Sequence, residues 1–299
     1  MRITILGTGA MACLFGARLA PAADVTLVGT WPEGLAALRE RGIILEDAQG
    51  ASTSPVEAHH LSADVELADC VLVLVKAWQT ESVAGRLPLL LKPEGVALTL
   101  QNGLGNYEAL ANTVGVGRVA LGVTTQGATL LGPGRVREGG RGPTHVAEHP
   151  RLAPLIDLLR SSGFDVHPSP ISDLQSLVWG KLVINCGINA LTAILRVPNG
   201  ELLNRPDAAA LMERAALECA AVAGAKGIAL PFPDPVARVR EVAQRTAINR
   251  SSMFQDILRG APTEIEAING AVAREGESLG VPTPVNEILW RLVKALVNG

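Results

Sequence analysis

The chain has 299 residues, 48% of them hydrophobic, and a formal net charge of −3. That length can bury two cores, and a near-neutral balance with no lysine- or arginine-rich block gives no electrostatic footprint for nucleic acid or an anionic membrane. The expected partner is a small molecule, with no nucleic acid and no membrane.

In chain order, "RITIL" (2–6) is a short β-branched run, "GTGAMA" (7–12) a turn, "CLFGARLA" (13–20) a stretch of helical spacing, and "DVTLV" (24–28) a second buried strand. This is a βαβ unit. The N-terminus runs straight into it without a secretory type of leader, which fits a cytoplasmic location. Further apolar strands are expected at 70–75, 96–100 and 119–125, in a parallel sheet covered by helices on both faces. "GPGRVREGGRGP" (132–143) reads as a hairpin or exposed loop, and "HPSPISD" (167–173) as a linker. Beyond it the pattern is helical to the end, with no convincing strand. The expected architecture is α/β: a Rossmann-type dinucleotide-binding domain over 1–167, then an all-α domain over 168–299. Cys13, Cys70, Cys186 and Cys219 lie far apart in apolar stretches and read as reduced core thiols. His59, His60, His145, His149 and His167 show no metal-ligand spacing and read as surface or loop residues, so no metal is expected.

The glycine loop follows the first strand and opens a helix. Gly7 permits the tight turn, Gly9 lets backbone amides approach a pyrophosphate, and Ala12 allows close helix–strand contact. Thr8, Ala10 and Met11 belong to the same turn. An acid at the end of the second strand would bond the ribose of NAD, but "LVGTWPEG" offers Thr30 and Trp31 and no carboxylate before Glu33, which favours NADP over NAD. Lys76 and Gln79 follow the 70–75 strand, where ligands of open sheets collect, and Asn102 in "TLQNGLGN" follows the next. A solvated boundary lysine and a simple Asn-Gly turn are the alternative readings.

"VWGKLVINCGINALTAIL" (178–195) is apolar nearly all round, yet Lys181, Asn185 and Asn189 share one face, drifting about 40° per step at 3.6 residues per turn. Residues 176–195 are long enough to span a bilayer, but a central lysine costs roughly 2.5–3.5 kcal/mol there. A buried helix with one polar stripe must face something polar: a ligand, or satisfied polar groups bridging helices. Ser172 and Gln175 suggest a capping box at its start. In "APTEIEAING" (261–270) Thr263 and Glu266 suggest another, which puts Glu264 in a first helical turn favoured by the dipole. Ser252 in "RSSMFQD" reads as an N-cap, with Gln255 closing the box.

Together "GTGAMA", "LVKAWQT", "QNGLGN", "GVTTQGA", "WGKLVINCGINALTAIL", "SSMFQD", "TEIEAINGAV" and "LGVPTPVN" resemble the ketopantoate reductases over nearly the whole chain. The resemblance implies NADPH-dependent reduction of ketopantoate to (R)-pantoate, on the way to pantothenate and coenzyme A. Carried over by motif, Lys181 would donate the proton to the ketone oxygen, and Glu264 would bind substrate and help place the lysine. Asn102, Asn185, Asn189 and Ser252 would hold the substrate's hydroxyl and carboxylate or the nicotinamide. Gly7, Thr8, Gly9, Ala10, Met11, Thr30, Lys76, Gln79, Asn102 and Glu264 would line the cofactor. Two departures stand out: Thr30 where many members carry an arginine for the 2′-phosphate, which leaves NAD open, and Gln126 in a Thr-Thr-His-Gly-Ala motif. A homodimer, reduction of a different 2-oxo acid and a non-catalytic nucleotide sensor also remain open.

Overall fold

Apolar β-branched runs alternating with helices build the first unit, residues 1–101 and 106–174, in a computed structural model that describes residues 1–297. It begins with β1 (Arg2–Leu6), α1 (Ala10–Leu19), β2 (Asp24–Gly29), α2 (Pro32–Arg41), β3 (Ile43–Asp47), β4 (Gly50–Ser54) and β5 (Glu57–His60). Next come β6 (Ala68–Val73), α3 (Thr80–Ala84), β7 (Leu91–Thr99), α4 (Asn106–Val114) and β8 (Val119–Thr124). The unit closes with β9 (Ala128–Gly132), β10 (Arg135–Glu138), β11 (Thr144–Ala147), α5 (Ala153–Ser161) and β12 (Val166–Ser169). An 8-stranded sheet runs β12-β11-β8-β7-β6-β1-β2-β5, and a 4-stranded sheet runs β4-β3-β10-β9. In the large sheet only β8 and β11 pair antiparallel.

Parallel strands are covered on both faces and therefore read as continuous apolar runs, which is why β1, β2, β6, β7 and β8 are visible in the sequence. The remaining strands are short or partly exposed. β4, "GASTS", is exposed along most of its length and gives no apolar signal. Residues 132–143 combine the β9–β10 hairpin with a loop. The expected linker at 167–173 is instead the end of β12 and the first turn of the next helix. His59 and His60 lie on β5, His145 on β11 and His167 on β12, so four of the five histidines are in strands rather than loops. All four cysteines are buried and unpaired, and burial pushes the Cys13 thiol up to about 12. Strand order reverses at β1, which has β2 on one side and β6 on the other. The carboxyl ends of β1 and β6 therefore frame the crevice where such sheets bind ligands.

The second unit comprises residues from Gln175 onward together with the loop Asn102–Gly105. Its helices are α6 (Ile171–Leu195), whose first turn belongs to the first unit, then α7 (Pro206–Ala225), α8 (Pro235–Arg245), α9 (Ser252–Leu258), α10 (Asn269–Leu279) and α11 (Pro284–Val297). α6 is long and apolar enough to cross a membrane, yet 67% of its most apolar window is buried within the protein, so it is the unit's core helix. Its start is set by the Pro170 carbonyl, which accepts from Asp173 N and Leu174 N, both at 3.1 Å. Ser172 is thus inside the first turn and bonds Asp173 Oδ1 (3.3 Å), so the expected capping box does not form.

Glycines let neighbouring helices approach α6. A Cβ on Gly187 would stand 2.8 Å from Val239 Cγ2 and 3.0 Å from Met212 O. Buried polar groups then lock the bundle. Glu218 accepts from Val285 N and Asn286 N (both 2.9 Å), Asn286 Nδ2 donates to Ala215 O (3.0 Å), and Asn269 Nδ2 donates to Cys186 O (3.2 Å) and Asn286 Oδ1 (3.0 Å).

Helix propensity and packing disagree at Gly187, and their sizes decide the outcome. Glycine to alanine gains about 1 kcal/mol in a helix interior, whereas overpacking costs roughly 1–3 kcal/mol, here partly against a backbone oxygen that cannot rotate away. Gly187→Ala is expected to lower the urea midpoint by an amount equivalent to about 1 kcal/mol. A raised midpoint would mean that α7 and α8 yield freely.

Candidate active site

In the first unit the β1–α1 turn is shaped by two glycines with different duties. Gly7 has φ +128°, and a Cβ there would stand 3.0 Å from Leu74 O, so the fold itself requires glycine. Gly9 is extended (φ −84°, ψ −170°), and a Cβ there would meet nothing within 4 Å. Nothing inside the protein demands glycine at this position, and the backbone here is open to close approach from outside. Gly9 is also the N-cap of α1 and supplies no side-chain cap, which leaves the first amides of Ala10, Met11 and Ala12 suited to an anion. Thr8 is buried against Gly29 at the end of β2.

Lys76 is half-buried beyond the end of β6. Gln79 closes the turn after it: its Oε1 accepts from Lys76 N (3.3 Å) and its own N–H donates to Lys76 O (2.8 Å). Beneath this turn lies a network that the sequence does not announce. Gln101 Nε2 donates to Val75 O (3.0 Å) and Thr80 Oγ1 (2.8 Å), and Thr80 Oγ1 donates to Asn106 Oδ1 (2.7 Å). It fixes the carboxyl ends of β6 and β7. Thr30 is exposed after β2, and the only charged side chain between Gly29 and Gly34 is the acid Glu33.

The second unit gathers the other candidates. α6 carries Lys181, Asn185 and Asn189. Glu264 is 5% exposed, and Asn102 Nδ2 donates to its Oε2 at 3.3 Å. Glu264 does not lie in a first helical turn. It heads a turn whose amides of Ala267 and Ile268 both bond the Glu264 carbonyl at 3.1 Å, and α10 begins only at Asn269. The expected Thr263–Glu266 capping box is absent because the Glu266 carboxylate is engaged by Arg274 (3.0 Å) and Lys294 (2.7 Å). The Asn102 loop packs on this turn: Leu104 N donates to Ala267 O (3.0 Å), and Gly103, at φ +83°, leaves no room for a Cβ, which would stand 2.4 Å from the same oxygen.

Burial around the Lys181 ammonium drives its pKa down from 10.5 to about 8, while the neighbouring Glu264 charge acts to raise it. The group can therefore hold or release a proton near neutrality. Asn189 is only 7% exposed. Among the described residues the side chains of Asn185, Asn189 and Ser252 take no hydrogen-bond partner. That contrasts with Asn286, whose carboxamide is bonded through both its ends, and with Asn269, which is bonded into the bundle through Nδ2 while its Oδ1 is buried without a partner. Ser252 is the first residue of α9 rather than its N-cap. Ser251 takes that role, its Oγ accepting from Phe254 N at 3.0 Å, and Gln255 bonds the Arg250 carbonyl (3.0 Å) instead of closing a box. Ser252 is thereby left outward-facing and exposed. Gln126 is held by Gly142 O at 2.7 Å, a local tie within the first unit.

Comparison with known proteins covers both units. The family described as "Ketopantoate reductase PanE/ApbA" matches residues 3–151, and its C-terminal counterpart matches 173–297. A 2-dehydropantoate 2-reductase of Halobacterium salinarum is 38% identical over 98% of either chain. Among solved structures, a PanE/ApbA family ketopantoate reductase from Ralstonia eutropha is 34% identical, with TM-score 0.91, covering 100% of this chain and 99% of its own. A D-mandelate dehydrogenase solved with NADH and anilino(oxo)acetate is 28% identical, with TM-score 0.93, over 100% and 99% of the two chains.

The contrast between satisfied and unsatisfied carboxamides makes a prediction that needs no activity assay. The Asn189 amide gives the fold no hydrogen bond, so Asn189→Leu is expected to leave the melting temperature unchanged or raise it. Asn286→Leu, which removes bonds to Ala215, Glu218 and Asn269, is expected to lower it clearly. A comparable loss in both variants would make Asn189 a structural residue.

Proposed function

Because this chain belongs to the ketopantoate reductase family, we propose that it reduces the ketone of ketopantoate (2-dehydropantoate) to (R)-pantoate, a step toward pantothenate and coenzyme A. The observation that carries the mechanism is the ammonium of Lys181, held near pKa 8 beside the buried Glu264 on a helix that also presents two unpartnered carboxamides. A nicotinamide dinucleotide supplies the hydride when bound. In this reading, the α1 amides and Lys76 hold its phosphates, and Lys181 gives its proton to the ketone oxygen as negative charge develops there. Glu264 keeps the lysine charged, and Asn102 holds the glutamate in place through its 3.3 Å bond. Asn185, Asn189 and Ser252 bind the substrate's carboxylate and hydroxyl. Carboxamides suit that task because they donate and accept without adding charge.

Lys181→Ala should lower kcat by on the order of 10²–10⁴-fold while NADPH binding survives. Near-normal turnover in a folded Lys181→Ala sample would overturn the proton-donor role. The sign of the pH dependence follows from the lysine. Its protonated form is the donor, so ketone reduction holds below about pH 8 and falls as pH rises through that value. Alcohol oxidation requires the amine and rises over the same interval. Glu264 raises the lysine pKa, so Glu264→Gln should move the falling limb of the reduction profile to lower pH. A limb that stays put would uncouple the two residues. Comparing ketopantoate with 2-oxoisovalerate, which lacks the distal hydroxyl, tests the substrate: equal kcat/KM for both would point to a different 2-oxo acid.

For the cofactor we propose NADPH as the preferred donor with NADH accepted. No acid precedes Glu33 to select the ribose of NAD, yet Thr30 provides no cation for a 2′-phosphate. The structural likeness to a dehydrogenase solved with NADH supports the tolerance. Thr30→Arg should increase the NADPH:NADH ratio of kcat/KM roughly tenfold or more, since charge-assisted bonds contribute about 1.5–3 kcal/mol. A wild-type ratio already favouring NADH would reverse the assignment.

A further inference from the structure

One buried contact ties the stripe of α6 to the start of α9. Thr192 is fully buried, one helical turn beyond Asn189. Its Oγ1 lies 2.9 Å from Ile188 O, 3.0 Å from Asn189 O and 2.7 Å from Ser251 Oγ. Ser251, 6% exposed, caps α9 by accepting from Phe254 N at 3.0 Å. Ser252 follows directly as the first residue of that helix.

Neither helix needs the hydroxyl pair for its own sake. A threonine that bonds back to carbonyls three and four residues earlier gains nothing for its helix and tends to bend it, and a buried hydroxyl is costly unless it is partnered. Valine would fill the same volume without that cost. Ser251 caps α9 through Phe254 N whether or not Thr192 is polar. The Thr192–Ser251 bond therefore fixes the placement of one element against the other. On one side it grips the backbone of Asn189, and on the other it is one residue from Ser252.

We propose that Thr192 is a positioning residue for substrate recognition: through Ser251 it sets the Ser252 hydroxyl against the Asn189 carboxamide so that both reach the same hydroxy- or oxo-acid substrate. This rests on the assignment of Asn189 and Ser252 to the substrate made above. Thr192 touches no reacting atom. Its loss should act on substrate KM and leave the pH profile set by Lys181 in place.

The test is a set of variants assayed with ketopantoate, with NADPH binding and the melting temperature followed on the same samples. Thr192→Val should raise the ketopantoate KM about tenfold, change kcat little and leave NADPH affinity intact. Thr192→Ser, which keeps the hydroxyl, should restore KM to within about threefold of wild type. Ser251→Ala breaks the same bond from the α9 side and should reproduce the KM rise, which keeps the idea testable even if Thr192→Val does not fold. In a Ser252→Ala background, adding Thr192→Val should raise KM no further, because the residue it positions is gone. An unchanged KM in Thr192→Val, failure of serine to rescue, or a full additional KM rise in the Ser252→Ala background would each overturn the positioning role. If Ser252→Ala itself leaves KM unchanged, the assignment of Ser252 to substrate fails and the proposal falls with it. If Ser252→Ala raises KM and Thr192→Val does not, only the positioning role is lost.

Discussion

A lysine ammonium on a helix that is otherwise core is the constraint from which the second unit is organised. Removing that charge from water is unfavourable, and the neighbouring Glu264 offsets part of the cost. The compromise is a lysine whose pKa falls to about 8 rather than one that stays fully charged or is fully neutralised. For α6 to carry it, the helix must bury its other faces, so glycines at 180 and 187 let Pro231, Val239 and Met212 come close. The carboxylate has to arrive from another part of the chain. It does so on a non-helical turn that also receives the Asn102 loop.

Around that pair the polar groups of the unit divide by whether the protein satisfies them. Glu218, Asn269 and Asn286 spend their hydrogen bonds on neighbouring helices and hold the bundle in register. Asn185 and Asn189 do not, although Asn189 is as buried as many core residues. A carboxamide that bonds no neighbouring helix contributes little to holding the bundle together. Residue type alone does not draw this division, since asparagines fall on both sides of it.

The first unit shows the same separation in glycines. Gly7 is required by its backbone angle and by the nearby Leu74 carbonyl, whereas Gly9 is required by nothing in the chain. The network of Gln101, Thr80 and Asn106 ties the ends of β6 and β7 together.

The sequence by itself determined the central parallel strands, the glycine turn, the all-helical second half and the Lys181–Asn185–Asn189 stripe. Each of these is written in local periodicity or in a steric demand that a few consecutive residues satisfy. It did not determine the short strands β3–β5 and β9–β12, because short, half-exposed strands such as "GASTS" become strands only when a neighbour offers hydrogen bonds. Cap register was also beyond its reach: Ser251 and Ser252 are equal as caps in isolation, and the buried Thr192 hydroxyl, 59 residues away in the chain, marks the one that is held inside. Likewise "TEIE" carries a helix-start signal, but Arg274 and Lys294 draw Glu266 away from any capping role, and Glu264 is left on a turn facing Asn102. Tertiary structure decided these cases because a side chain with several available partners bonds the one that the packing of distant segments brings within about 3 Å, and no local pattern encodes that distance.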